Sequence, residues 1–388
     1  MLSFKDLNQQ NLRPAQREWA AETAEKIRCK VAETSRHAAG KVPYSTVNGV
    51  FDDLSANIDS WCSGFWSALM WLMYTETQDE SYAELARGVE RKQDRCFRDF
   101  IGMSHDAGFR WLPTAVADFR LTGNPDSRQR GLHAATILAG RYIPACQIIR
   151  AWDGQPEPGQ PDNRGWGIID CMMNLPILYW ATEETKDSRF RQIAMRHADR
   201  VMTTFVRADG SCEHIVAFDP DTGEKVRTYG GQGYADGSSW TRGQAWGLYG
   251  FTLSYIHTGK IAYLDTAKQI AHYFMANIPE SGLIPVDFRQ PPEPAWEDST
   301  AAAIAACGLL ELARRVDEGE RQLYLNGALC LLKALSEKRC VFDLSNEAIV
   351  QKCSARYHEE RHEYNIIYGD SYFAEAIFKL NGNDFLLW

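Results

Sequence analysis

One pattern, repeated six times, limits what this chain can fold into. From residue 14 to residue 380 strongly apolar helical segments alternate with amphipathic ones. The apolar members fall at 61–76, 112–122, 171–183, 239–258, 298–315 and 369–380. The amphipathic members fall at 14–36, 81–100, 126–148, 187–206, 260–277 and 319–338. In "GFWSALMWLMYTET" (64–77) apolar side chains cover every side, as in a helix with no solvent face. "PAQREWAAETAEKIRCKVAE" (14–33) instead has the spacing of a helix with one wet side. Turn signals such as "LTGNPDS", "HTGK" and "SGL" separate the segments. An open solenoid would need polar capping repeats at its ends, so six buried helices each backed by an amphipathic one fit a closed double ring better. The expected class is all-α, in one domain over 1–388. The Pro-rich stretches 153–165 and 289–298 read as rim loops rather than linkers.

In a closed ring of this connectivity the inner helices run parallel, and their N-termini open at one end. The loops entering them carry the unusual residues: Trp61, His105 with Asp106, Trp166 with Asp170, His214 with Gln232, Trp240 with Arg242, Glu297 with Asp298, and Asp370. Residues far apart in sequence are thus expected to converge on one mouth.

A net charge of −9 argues against nucleic acid, which needs a basic footprint, although one local Arg could still meet a small anion. The first residues hold no apolar run suited to a signal peptide, and no run anywhere suits a membrane span. Ten cysteines without a CxxC pair read as reduced thiols, so a cytoplasmic protein is expected, a monomer or weak homo-oligomer. No HExxH or comparable spacing points to a metal. The Gly-rich "GGQGYADG" lacks the Lys-Ser/Thr ending of a phosphate loop.

Three stretches carry chemistry. "MSHDAGFRW" (103–111) sets His105 and Asp106 before a glycine, where Asp106 could equally cap the next helix. "GGQGYADGSSWTRGQAWGLYGF" (230–251) feeds a helix with Ser238 or Ser239 as a plausible N-cap and Trp240, Arg242 and Trp246 within two turns. An Arg between two Trp residues is a poor way to build a core, and it suits a planar carboxylate. "RGWGIIDCMMNLPILYW" (164–180) places one carboxylate, Asp170, amid Trp, Ile and Met. Asn174 competes with Asp170 as N-cap, because Pro176 would then stand in the first turn. Apolar neighbours would raise the pKa of Asp170 toward that of a general acid. Residue chemistry alone leaves cap and acid as equal alternatives.

The stretches "SWCSGFW", "SHDAGF", "IIDCMMNLPILYWA", "GQGYADGSSWTRGQAWGLYG", "EDSTAAAIAACGLLEL" and "YGDSYFAEAI" together resemble the unsaturated glucuronyl hydrolases of glycoside hydrolase family eighty-eight, from about residue 15 to 380. The resemblance implies an (α/α)6 barrel. It implies Asp170 as general acid/base and Asp106, with His105 beside it, as a second important carboxylate. It implies cleft residues at Trp61, Trp152, His214, Gln232, Trp240, Arg242 and Trp246, with Arg242 the candidate for the uronate carboxylate. The implied substrate is an oligosaccharide left by a polysaccharide lyase, whose non-reducing end is a 4,5-unsaturated uronic acid. Asp170 would protonate C4, water would add at C5, and the hemiketal would open to an α-keto acid and the freed sugar. No metal or organic cofactor is implied. In the leaving-sugar region, "QKCSARYHEERHEYN" (351–365) departs from the family motif. Lys352, Arg356, His358, Arg361 and His362 there read as a solvated mixed-charge loop before they read as anion contacts. The rivals are the related unsaturated rhamnogalacturonyl hydrolases, an inverting glycosidase using Asp106, Glu297 or Asp298 as base, and a non-catalytic carbohydrate-binding barrel.

Overall fold

A computed structural model describes residues 2–153 and 162–388. A short helix, α1 (Phe4–Asn11), leads into the first amphipathic helix, α2 (Pro14–His37). The apolar α3 (Phe65–Thr77) then pairs with the amphipathic α4 (Glu80–Asp99). The next apolar member is α5 (Ala107–Trp111), continued through a π-helical turn at Leu112–Val116 into α6 (Ala117–Thr122), and α7 (Pro125–Gly140) backs it. Pro113 has no N–H to give to the regular ladder, and the widened turn sits on it. The pairs α8 (Pro176–Thr185) with α9 (Ser188–Thr204), α10 (Thr241–Thr258) with α11 (Ile261–Ala276), and α12 (Ser299–Ala313) with α13 (Glu318–Lys338) follow, and α14 (Ile367–Leu380) returns to α2.

The inner members touch in sequence order, and α14 packs back on α3, which closes the ring as an (α/α)6 barrel. Every residue of α12 and α14 is buried. One continuous cluster of buried side chains runs from Phe4 to Trp388. Toward their C-terminal ends, α12 and α14 are tied by Lys379, whose buried ammonium lies 2.7 Å from Glu311 and 2.6 Å from Glu375.

The structure shortens two expected helices. The segment expected at 126–148 ends at Gly140 and gives way to an antiparallel hairpin, β3 (Tyr142–Ile143) with β4 (Ile148–Ile149). The segment expected from 171 begins as a helix only at Pro176, after a 3-10 turn at Ile169–Met173. A smaller hairpin, β1 (Thr46–Val47) with β2 (Val50–Phe51), precedes α3. A three-stranded antiparallel sheet, β5 (Trp166–Ile168), β6 (Ile215–Phe218) and β7 (Lys225–Tyr229), lies in the loops entering α8 and α10. Its pairing of Ile168 with Ile215 brings Asp170 and His214 to the same place. Of the two expected rim loops, 289–298 is in the structure, and 154–161 lies outside the described residues.

Candidate active site

Trp61, His105, Asp106, Trp152, Asp170, Gln232 and Arg242 line one cavity of about 160 Å³, joined by Ile168 and Arg356. All come from loops entering inner helices or from their first turns, as parallel inner helices require. A larger surface hollow of about 640 Å³, beside Phe100, Ile137 and Tyr142, lies outside this convergence. Its one carboxylate, Asp153, is already 2.6 Å from Arg141.

Asp170 is the one half-buried residue of an otherwise buried turn, since Ile169, Cys171, Met172 and Met173 are all inside. Its Oδ2 is buried and has no hydrogen-bond partner among the described residues. Burial pushes its pKa up to about 7, the charge of Asp106 adds to the rise, and Arg242 opposes it. The two carboxylate loops approach each other because residue 108 is glycine: a Cβ there would fall 2.4 Å from the Asn174 Cα. Asn174 is not the N-cap of α8, as one reading expected. Its Oδ1 accepts the Phe109 backbone N–H at 2.8 Å, stitching one loop to the other, while Leu175 takes the cap position. Pro176 does occupy the first turn.

His214 faces Asp170, with Nε2 3.7 Å from Oδ2. Its Nδ1 lies between the Gln232 backbone N–H at 3.0 Å and the Gly230 carbonyl at 3.1 Å, so that the loop holds this edge of the ring while Nε2 faces the carboxyl group. Burial pushes the His214 pKa down to about 3. Gly231, at φ +59°, permits this approach, because a Cβ there would lie 2.1 Å from Nδ1. Across the cavity His105 Nε2 stands 3.4 Å from Asp106 Oδ1, and Ser104 Oγ donates to Asp106 Oδ2 at 2.9 Å. Burial lowers the His105 pKa.

The aromatic residues divide. Trp152 is 37% exposed on the cavity wall, and Trp61 is held edge-on by Phe65 and tilted against Phe109. Trp240 is buried behind them, 4.3 Å from the His214 ring and under the Arg242 guanidinium at 4.6 Å. Trp246 is fully buried against Phe109 and Tyr372 and does not line the cavity, which corrects its expected place in the cleft.

Arg242 reaches the cavity but is not a free cation. It is ion-paired with buried Asp298, and it donates to Ser354 O at 2.8 Å and to Ala355 O. The planar carboxylate that it grips in the structure is a side chain of the protein, 56 residues away in sequence. Asp298 also caps α12, accepting the Thr300 N–H at 3.1 Å, and Glu297 is held by Arg339 at 2.6 Å. Neither is available as the base of an inverting glycosidase. Asp370 lies inside the first turn of α14, where it accepts the Ile349 and Val350 N–H groups. Ser238 and Ser239 do not cap α10. Ser238 Oγ donates to Asp287 at 2.6 Å, Asp287 also accepts the Ser239 and Tyr234 N–H groups, and Trp240 takes the cap position. Asp287, which gathers the Gly-rich loop, carried no local signal in the sequence.

The 351–365 stretch is tied down rather than freely solvated. Lys352 pairs with Glu363, His358 lies 2.7 Å from Tyr234 O, Arg361 donates to Ser45 at 2.9 Å, and His362 stacks on Trp296. Gln232 and this loop exchange two hydrogen bonds, through Ala355 O and the Tyr357 N–H, each 2.9 Å. Arg356 alone of its cations reaches the cavity, with Glu359 at 3.0 Å.

Among the described residues, no cluster of three or more His, Cys, Asp or Glu is placed to hold a metal ion. Nor is any helix there long and apolar enough to cross a membrane. No protein-family model matches the chain. It is 40% identical over 336 residues to the unsaturated glucuronyl hydrolase of Bacillus sp. strain GL1, covering 84% of this chain and 87% of that protein. An unsaturated chondroitin disaccharide hydrolase of Streptococcus pyogenes serotype M1 is 32% identical over 326 residues, covering 82% of this chain and 80% of that protein. The crystal structure of the Bacillus enzyme matches at TM-score 0.83 and 36% identity, over 93% of this chain and 96% of that one. A mutant unsaturated glucuronyl hydrolase of Streptococcus agalactiae, complexed with dGlcA-GalNAc6S, matches at TM-score 0.82 and 26% identity, over 98% and 96% of the two chains. With this similarity over most of both chains, and with Asp106 and Asp170 facing one cavity, the chain belongs to the unsaturated glucuronyl hydrolases.

Proposed function

We propose that this chain, as one catalytic domain, removes the 4,5-unsaturated uronic acid from the non-reducing end of lyase-generated glycosaminoglycan oligosaccharides. The observation that carries the reading is Asp170, a carboxyl group with an unpartnered oxygen in the shared cavity and a pKa near 7. The protonated carboxyl gives its proton to C4 of the vinyl ether, and the positive charge that develops at C5 is shared with the ring oxygen. Asp170, now ionised, takes a proton from water as the oxygen bonds to C5. The hemiketal opens, the anomeric carbon becomes an aldehyde, and the leaving sugar departs. One water is consumed.

Asp106, oriented by Ser104 and His105, positions the sugar hydroxyls and supports the proton affinity of Asp170. Trp61 and Trp152 offer ring faces to the uronate, Gln232 completes the wall, and neutral His214 stands against Asp170. Trp240 braces His214 and Arg242 from behind. Arg242 supplies a fixed positive charge for the uronate carboxylate. No cofactor enters these steps. The ten cysteines, none in a disulfide, support a cytoplasmic location, and the protein acts as a monomer or weak homo-oligomer.

The test follows the ultraviolet absorbance of the conjugated double bond in a lyase-generated dGlcA–N-acetylgalactosamine disaccharide. Absorbance falls with the wild type and stays constant with Asp170→Asn. Turnover by Asp170→Asn equal to the wild type would overturn the reading.

A further inference from the structure

Asp170 and Arg242 line the same cavity, yet no ion pair joins them. The cation is engaged elsewhere. Asp298 and Arg242 are both almost wholly buried and paired, with Thr300 Oγ1 3.4 Å from the same guanidinium nitrogen. The Ser354 and Ala355 carbonyls hold the guanidinium from the loop side, and Ser354 N–H returns to Asp298 Oδ1 at 3.4 Å. The Trp240 and Tyr368 rings lie against it, at 4.6 and 5.5 Å. We propose that Asp298 is a positioning residue for the reaction: it anchors and partly neutralises Arg242, so that this cation faces the substrate without forming an ion pair with Asp170.

The proposal rests on Asp170 as the general acid. A carboxylate paired to an arginine gives up its proton at low pH, and such an acid would be empty at neutrality. The other charged or titratable groups near the pair are Asp106, His105, His214 and Arg356, with the phenols of Tyr368 and Tyr364, whose pKa values burial raises so that they stay neutral. None of them reaches the Arg242 guanidinium by hydrogen bond or ion pair, so Asp298 is the carboxylate that restrains it.

The test is the pH dependence of kcat/KM on the same dGlcA disaccharide. Asp298→Asn keeps a good N-cap for α12 while removing the charge. Freed of its partner, Arg242 stabilises the ionised form of Asp170, so that the carboxyl group releases its proton to solvent at lower pH. The high-pH limb of the profile moves about one to three pH units downward. Activity at acid pH is then retained while activity at pH 7.5 falls at least tenfold. In the double variant Arg242→Gln/Asp298→Asn, which leaves no charge at either position, the limb returns to the wild-type position or above it. It serves as the test even if the single variant does not fold. Profiles parallel to the wild type in Asp298→Asn, or a limb still displaced downward in the double variant, would overturn the proposal. If Asp170→Asn itself retained full activity, the failure would lie with the acid assignment and not with Asp298.

Discussion

His214 presents its two ring nitrogens to different partners: Nδ1 lies 3.0 Å from the Gln232 backbone N–H and 3.1 Å from the Gly230 carbonyl, and Nε2 stands 3.7 Å from Asp170 Oδ2. Burial pushes its pKa down to about 3, so the ring is neutral at neutral pH. Nitrogen-15 NMR of labelled protein is expected to show His214 neutral from pH 5 to 8. A titration near the ordinary histidine value would contradict this.

The acid itself sets a second expectation. Asp170 must hold its proton to begin the reaction, so kcat/KM falls as pH rises through about 7. Ordinary carboxylate titration, with the limb near 4, would show that burial does not protect the proton.

The same group costs the fold stability. Its folded-state pKa, about 7, lies above the ordinary 3.8, so its favourable contribution is fully present below about pH 4 and is lost as pH rises through 7. Asp170→Asn, which cannot ionise, is therefore expected to exceed the wild type in unfolding free energy by about 2–4 kcal/mol at pH 8 and to match it near pH 4. Denaturant unfolding at the two pH values checks this. An equal difference at both would mean that ionisation is not the cause.

Trp152 and Trp246 separate binding from packing. Trp152→Ala loses an exposed ring on the cavity wall, and KM is expected to rise about two- to tenfold with kcat little changed. Trp246→Ala empties a fully buried site and is expected to lower unfolding free energy by about 3–5 kcal/mol. Steady-state kinetics and denaturant unfolding of both variants are the measurements. A reversal of these effects would place the cleft differently.

The architecture was legible because helices such as α12, buried on every side, leave an unmistakable apolar run. Asp170 stood out for the converse reason, as a charge where the pattern allows none. Contacts that only the closed ring creates were hidden. Arg242 and Asp298, or Asn174 and the Phe109 N–H, are neighbours in space and strangers in sequence. Asp287 left no local mark for the same reason. The hairpin at 142–149 was read as helix because its few apolar residues carry no decisive period. The family resemblance implied a cleft role for Trp246, although its place on α10 turns it toward Tyr372.

The central claim is that Asp170 protonates the double bond and does not assist displacement at the anomeric carbon. A 4,5-unsaturated glucuronyl C-glycoside tests it most directly, since its anomeric carbon has no glycosidic oxygen to expel while its vinyl ether is intact. The account predicts that the wild type bleaches the ultraviolet absorbance of this compound and that Asp170→Asn leaves it unchanged. Persistent absorbance in the presence of wild-type enzyme that readily turns over the matching O-glycoside would contradict it.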